Sequence, residues 1–161
     1  MAKHPAGGTP ATVALTRAKI AFTLHPYTHH DDTTAFGDEA AAALDVDRAR
    51  MFKTLVAEAG GELVVAVVPV AHQLDLKALA AAVGAKKAVL ADPAAAARSS
   101  GYVLGGISPI GQRTRLRTVL DTSATALPTV FVSAGRRGLS VELAPADLAG
   151  VTGALVAPIA H

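Results

Sequence analysis

Two stretches of this sequence carry residue types suited to chemistry on an anionic group. The first is Gly101-Tyr-Val-Leu-Gly-Gly-Ile-Ser-Pro-Ile-Gly-Gln112, continuing to Asp121. Paired glycines at 105 and 106 permit positive φ and close approach of the backbone, while Pro109 fixes its own φ and holds Ser108 extended. The amides of Gly106, Ile107 and Ser108 can then converge on a phosphate, a carboxylate or a developing oxyanion. The same residues also suit a plain tight connection between strands. The second stretch surrounds Lys53. If Met51 to Ala57 is a strand, its period of two puts Lys53 with Met51 and Leu55, and Phe52, Thr54 and Val56 on the opposite face. Both faces are largely apolar. The lysine therefore either snorkels to the surface or serves a site in which its ammonium stabilises an oxyanion or binds phosphate.

Two other groupings are weaker. Thr28-His-His-Asp-Asp-Thr-Thr34 holds His29, His30, Asp31 and Asp32, but adjacent loop residues rarely converge on one ion, so a solvated turn is expected and no metal. Ser108, His25, His72 and Asp121 supply the residue types of a nucleophilic triad, yet nothing in their spacing assembles one. The chain has no cysteine, which excludes disulfides, thiolate metal sites and a cysteine nucleophile.

The elements that must position these residues follow from periodicity. Residues 1–10, with two prolines and two glycines, read as a flexible lead. Thr12 or a neighbour caps a helix through Ile20. Phe22 to Tyr27 alternates as a strand. Gly37 to Leu44, acidic in its first turn and rich in alanine, predicts a helix. Residues 50–58 and 62–70 around Gly60-Gly61 predict a hairpin whose second arm is apolar enough for a central strand. Asp75 to Val83 predicts a helix stopped by Gly84, Ala88 to Leu90 a strand, and Asp92-Pro93 an N-cap and first helical residue running to Arg98. Leu116 to Leu120 and Thr129 to Ser133 read as strands. Ala134 to Gly138 turns into Leu139 to Leu143, and a last helix opens at Ala146-Asp147 and reaches about Gly150. The order mixes hairpins with short helices, which predicts an α+β fold with a mixed, strongly curved sheet flanked by helices.

The 161 residues, 51% hydrophobic and 17% charged, suit one globular domain without an internal linker. A formal net charge of +2 argues for no extended nucleic-acid coat, so any RNA contact must use a local patch. No run of about 18 consecutive apolar residues occurs, and residues 1–10 lack the apolar stretch of a secretory signal. A cytoplasmic protein without membrane association is the expectation.

Taken together, Phe22-Thr-Leu-His-Pro-Tyr27, Phe36-Gly-Asp-Glu-Ala40, Phe52-Lys-Thr-Leu55, Gly101 to Gln112 and Arg137-Gly-Leu-Ser-Val-Glu142 make the chain resemble the YbaK/EbsC-type Cys-tRNA(Pro) deacylases, relatives of the prolyl-tRNA synthetase editing domain. The resemblance covers nearly the whole chain in order. It implies one domain with a barrel-like mixed sheet, free-standing editing of mischarged tRNA, and no bound metal or cofactor. The family's essential lysine falls on Lys53 and its pocket tyrosine on Tyr27. Its Gly-x-x-x-Pro loop falls on Gly105 to Pro109, with the amides facing the aminoacyl carbonyl or the terminal ribose. Ser133 and Ser140 take positions bordering the pocket, Ser140 where some members carry Asp. The implied nucleophile is the thiol of the substrate's own cysteinyl group, leaving position and charge stabilisation to the protein.

Arg113, Arg115 and Arg117 alternate, so an extended segment points them to one side. With Arg136, Arg137, Lys86 and Lys87 they either contact the tRNA acceptor stem or form a solvated basic face. tRNA, with or without prolyl-tRNA synthetase, is the implied partner. The alternative is a non-catalytic regulatory module of EbsC type that binds a nucleotide or aminoacyl group.

Overall fold

The structure, a computed structural model, describes residues 8–161, so residues 1–7 of the expected flexible lead lie outside the described residues. Helix α1 (Pro10–Arg17) starts one turn before the expected cap. Its N-cap is Thr9, whose hydroxyl accepts from the Thr12 amide at 3.2 Å while the Thr12 hydroxyl accepts from the Thr9 amide at 3.1 Å. Thr12 is thus the reciprocating third residue of a capping box, with Pro10 leading the helix. The Thr9 hydroxyl also donates to the Ala134 carbonyl at 2.6 Å, which ties α1 to a later strand.

Eight strands and four further helices follow: β1 (Thr23–Pro26), α2 (Phe36–Ala43), β2 (Phe52–Ala59), β3 (Glu62–Pro69), α3 (Leu76–Ala82), β4 (Ala88–Leu90), α4 (Pro93–Ser100), β5 (Arg117–Asp121), β6 (Val130–Arg136), β7 (Leu139–Leu143), α5 (Pro145–Thr152) and β8 (Leu155–Ala157). Strand β8, in the apolar tail, has no counterpart in the sequence expectation. Asp92 sits at the start of α4 without a side-chain capping bond, and β6 runs three residues further than expected, over an irregularity in its pairing between Ser133 and Arg136.

The strands do not form the single barrel-like sheet expected. They divide into an antiparallel sheet in the order β1-β7-β6 and a mixed sheet in the order β4-β2-β3-β5-β8. Both sheets have open edges, because β1 pairs with β7 and β8 with β5, and neither pair closes back on its own sheet. The two sheets touch at a bridge between Met51 and Phe131, where the Phe131 amide donates to the Arg50 carbonyl at 3.0 Å.

The continuous apolar run of β3 is explained by burial on both faces. Val65 and Val67 pack into one core with Leu15, Ile110, Val132 and Leu143, whereas Val64, Ala66 and Val68 pack into a second with Leu79, Val119 and Ile159. A third, smaller core gathers Ala40, Ala41, Met51, Val70 and Phe131 under α2. That small core is the floor on which the candidate site stands.

Candidate functional site

A cavity of about 320 Å³ opens between the N-terminal turn of α2, the first residues of β2, the glycine loop and the pocket-side face of the β6–β7 hairpin. Its lining brings together Tyr27, Lys53, Gly105, Ile107, Ser133 and Ser140, with Phe36, Asp38, Met51, Thr54 and Leu104 among the other walls. Gly106, Ser108 and Pro109 are not among the lining residues. Pro109 borders a second, smaller hollow with Arg115, Thr118 and Thr152.

Register explains how the two serines arrive. His25 pairs with Ser140 and Ser140 with Ser133, while Thr23 pairs with Glu142 and Glu142 with Phe131. Directly opposed residues share a face, as do residues two apart. His25, Ser133, Ser140, Glu142 and Phe131 therefore all rise from the face turned toward α2, and Leu24, Val132, Leu139 and Val141 point into the main core.

Lys53 is half-buried, and among the described residues its ammonium has no hydrogen-bond or ion-pair partner. Burial draws its pKa below the ordinary lysine value; the Asp38 carboxylate opposes this and Arg48 adds to it. Asp38 is itself engaged by Arg48, whose Nε donates to Oδ1 at 2.6 Å. The neighbouring Thr54 hydroxyl is buried with no hydrogen-bond partner among the described residues. Tyr27 is anchored by its amide, which donates to the Gly138 carbonyl at 2.9 Å. Burial pushes the Tyr27 hydroxyl above its usual pKa, with a hydrogen bond from the Gly138 backbone opposing and Glu39 adding. At neutral pH it is a phenol, able to donate a hydrogen bond and not to act as a base.

The glycine loop works differently from the expected amide nest. The Gly106 amide donates to the Val103 carbonyl at 2.9 Å, so it is spent inside the loop. A Cβ on Gly106 would stand 2.7 Å from the Arg136 backbone, which makes this glycine a contact with β6 and not with the cavity. Ser108 is fully buried, and its hydroxyl accepts from the Ile110 amide. Gly105 does face the cavity: its φ is +84°, and a Cβ there would meet the Phe36 ring at 2.6 Å.

Phe36 was not among the site residues inferred from sequence, although it opens the Phe-Gly-Asp-Glu motif. Its ring is covered by the Arg137 guanidinium at 4.9 Å and approached by the His29 ring at 5.8 Å. His29 Nδ1 lies 2.7 Å from a Glu39 oxygen, and the other Glu39 oxygen accepts from the His30 amide at 2.8 Å. Burial works against the charge on Glu39, but the bonds from His29 and His30 outweigh it and hold the carboxyl below its usual range. The histidine-rich loop is thus pinned to α2 by one carboxylate.

The triad residues are engaged apart from one another. Asp121 Oδ1 accepts from the amides of Ile159 and Ala160 at 2.9 and 3.0 Å, His25 Nε2 lies 2.8 Å from Glu142, and His72 is exposed. The three arginines expected on one side also separate. Residues 111–116 are irregular, so only Arg117 has strand geometry. Arg113 packs on Gly101 and Arg115 on Gly153, while Arg117 donates to the Val83 carbonyl. Arg136 ends β6, and Arg137 opens the turn to β7 beside the cavity, against Leu104 and Phe36.

Comparison with known proteins matches residues 30–151 to the aminoacyl-tRNA editing domain. A relative from Enterococcus faecalis, provisionally named Cys-tRNA(Pro)/Cys-tRNA(Cys) deacylase EbsC, is 39% identical over 124 residues, covering 76% of this chain and 75% of its own. A solved structure provisionally described as a trans-editing enzyme for prolyl-tRNA synthetase superposes with a TM-score of 0.83 at 25% identity, covering 94% of this chain and 95% of its own. The hypothetical protein APE2540 superposes with a TM-score of 0.84 at 25% identity, covering 94% and 99%.

Proposed function

Because the chain belongs to the aminoacyl-tRNA editing domain family, we propose that it removes cysteine from mischarged tRNA(Pro), using the cavity at Lys53. The observation that supports this reading is an ammonium held half out of water, with no partner among the described residues, against a cavity large enough for an aminoacyl ester. Such a group costs stability unless something negative comes to meet it.

In the proposed reaction the substrate thiol attacks its own ester carbonyl. The new C–S bond gives a tetrahedral oxyanion, which the Lys53 ammonium stabilises with the Tyr27 phenol as a hydrogen-bond donor. Collapse breaks the bond to the ribose oxygen, and the proton lost by the thiol ends on that oxygen. The tRNA leaves, and water opens the cyclic thioester. Gly105 and Ile107 shape one wall, and Ser133 and Ser140 the other. Gly106, Ser108 and Pro109 hold the loop without touching the substrate. No serine, histidine or aspartate is required as a nucleophile or base.

The test compares tRNA(Pro) charged with cysteine and with serine. One atom of shape is worth about 1–3 kcal/mol, or roughly 10- to 200-fold. Cysteine is expected to be released faster by more than that. Equal rates, or an acyl group trapped on Ser133 or Ser140, would refute the substrate-thiol mechanism.

A further inference from the structure

The glycine loop holds two large apolar side chains in solvent at the lip of the cavity. Val103 is 59% exposed and Leu104 is 52% exposed, and Leu104 also lines the cavity itself. They are not loose. The Val103 carbonyl accepts from the Gly106 amide at 2.9 Å and the Leu104 carbonyl from Arg137 Nε at 2.8 Å, while Gly105 rests on the Phe36 ring. The loop is fixed from beneath, and its two apolar side chains form a small shelf at the mouth of the cavity.

The surroundings of this shelf are cationic. Arg137 binds the shelf backbone directly, Arg113 packs on Gly101, and Arg98 lies in the last turn of α4, which leads into the loop. All three are exposed, and among the described residues none forms a salt bridge with a carboxylate. A hydrophobic shelf continuous with an ester-sized cavity, beside guanidinium groups that have no carboxylate partner, offers an apolar surface to a base and cations to its phosphodiester.

We propose that Val103 and Leu104 seat the base of the aminoacylated 3′-terminal nucleotide, adenine in every tRNA, so that its ester enters the cavity toward Lys53. This rests on the reading that aminoacyl-tRNA is the substrate. It assigns the shelf a role in placing the ester, separate from the chemistry inside the cavity.

The test uses two uncharged RNA minihelices ending in CCA, one complete and one with an abasic 3′-terminal residue, and measures the Kd of each by fluorescence anisotropy. Wild-type protein should bind the complete RNA several-fold more tightly, from burial of apolar surface against the base. Val103→Ser and Val103→Ser/Leu104→Ser, which remove apolar surface without adding charge, should shrink that ratio stepwise toward one. Both positions are more than half exposed, so the variants should melt with the wild-type protein. A wild-type ratio near one, or an undiminished ratio in the double variant, overturns the shelf. Wild-type deacylation of Cys-tRNA(Pro) is measured in parallel. Its absence overturns the underlying reading, whereas its presence with an unchanged ratio overturns the shelf alone.

Discussion

On either side of the Met51–Phe131 bridge stand two sets of polar side chains that differ in how fully their atoms are partnered. On one side, Glu142 accepts from Thr129 at 2.5 Å, lies 2.8 Å from His25 Nε2 and 3.5 Å from Arg50, and Arg50 donates to Thr129. Phe131 is sandwiched in that set, 5.1 Å from the His25 ring and 5.3 Å from the Arg50 guanidinium. On the other side, the Lys53 ammonium and the Thr54 hydroxyl have no partner among the described residues. Histidine, glutamate, arginine and threonine sound the more catalytic assortment, but they satisfy one another. The residues left wanting are the ones that face the cavity. A satisfied network adds rigidity; an unsatisfied group, held in place by its neighbours, is available to a ligand.

The largest effect that sharpens this contrast is expected from Lys53→Ala. Loss of one charge-stabilising donor should lower kcat/KM for Cys-tRNA(Pro) by about 10²- to 10³-fold, while the thermal midpoint stays close to wild type. A near-normal rate in that variant would break the contrast. The pH dependence should agree: with its pKa drawn down by burial, Lys53 loses its charge below the pH of an ordinary lysine, near 10.4, so activity should fall on the alkaline side before that point. Because the unfolded chain then holds more protons, stability from this group rises with pH up to the same point.

Glu142→Gln should do the reverse, costing about 1–2 kcal/mol in urea unfolding with little change in kcat per folded molecule. The Thr129 hydrogen bond, then the His25 hydrogen bond and the charges of His25 and Arg50, outweigh an opposing burial penalty and hold the Glu142 carboxyl below its usual range. Its stabilisation is therefore complete above about pH 4.3, the unfolded value, and is lost as pH falls through the folded one. The Gln variant should flatten that acid limb, and an unchanged limb would place the stabilisation elsewhere. The smallest effect on the fold is expected from Thr54→Val, which removes a buried, unpartnered hydroxyl and should be neutral or stabilising by up to about 1 kcal/mol. If Thr54 binds substrate, KM should rise in that variant without loss of folded protein.

The helices and hairpins were largely legible because their signals are local. The helix expected over residues 75–83 is found at Leu76–Ala82, and the β2–β3 hairpin turns at Gly60-Gly61 as expected. The division into two sheets was not legible, because it depends on β1 pairing with β7 and on β8 joining β5, contacts that no local period encodes. Within the site, Lys53 was readable from its intrusion into an apolar strand. Phe36 and Leu104 were not, since a lone aromatic and a lone leucine look the same in sequence whether they face a core or a cavity. The glycine pair was readable as special but not in its division of labour, in which one glycine meets Phe36 and the other the backbone of β6.

The lining of the cavity has a consequence for folding order. It draws on Tyr27 at one end and Ser140 at the other, through the pairing of residues 23–26 with 139–142. Contacts of such sequence separation form late, after loop-closure entropy has been overcome. Peeling β1 away from β7 would carry Tyr27 out of the lining and open that wall of the cavity. Occupancy and integrity become one equilibrium, so a bound 3′ end should slow proteolysis at sites as distant as the β1–α2 loop.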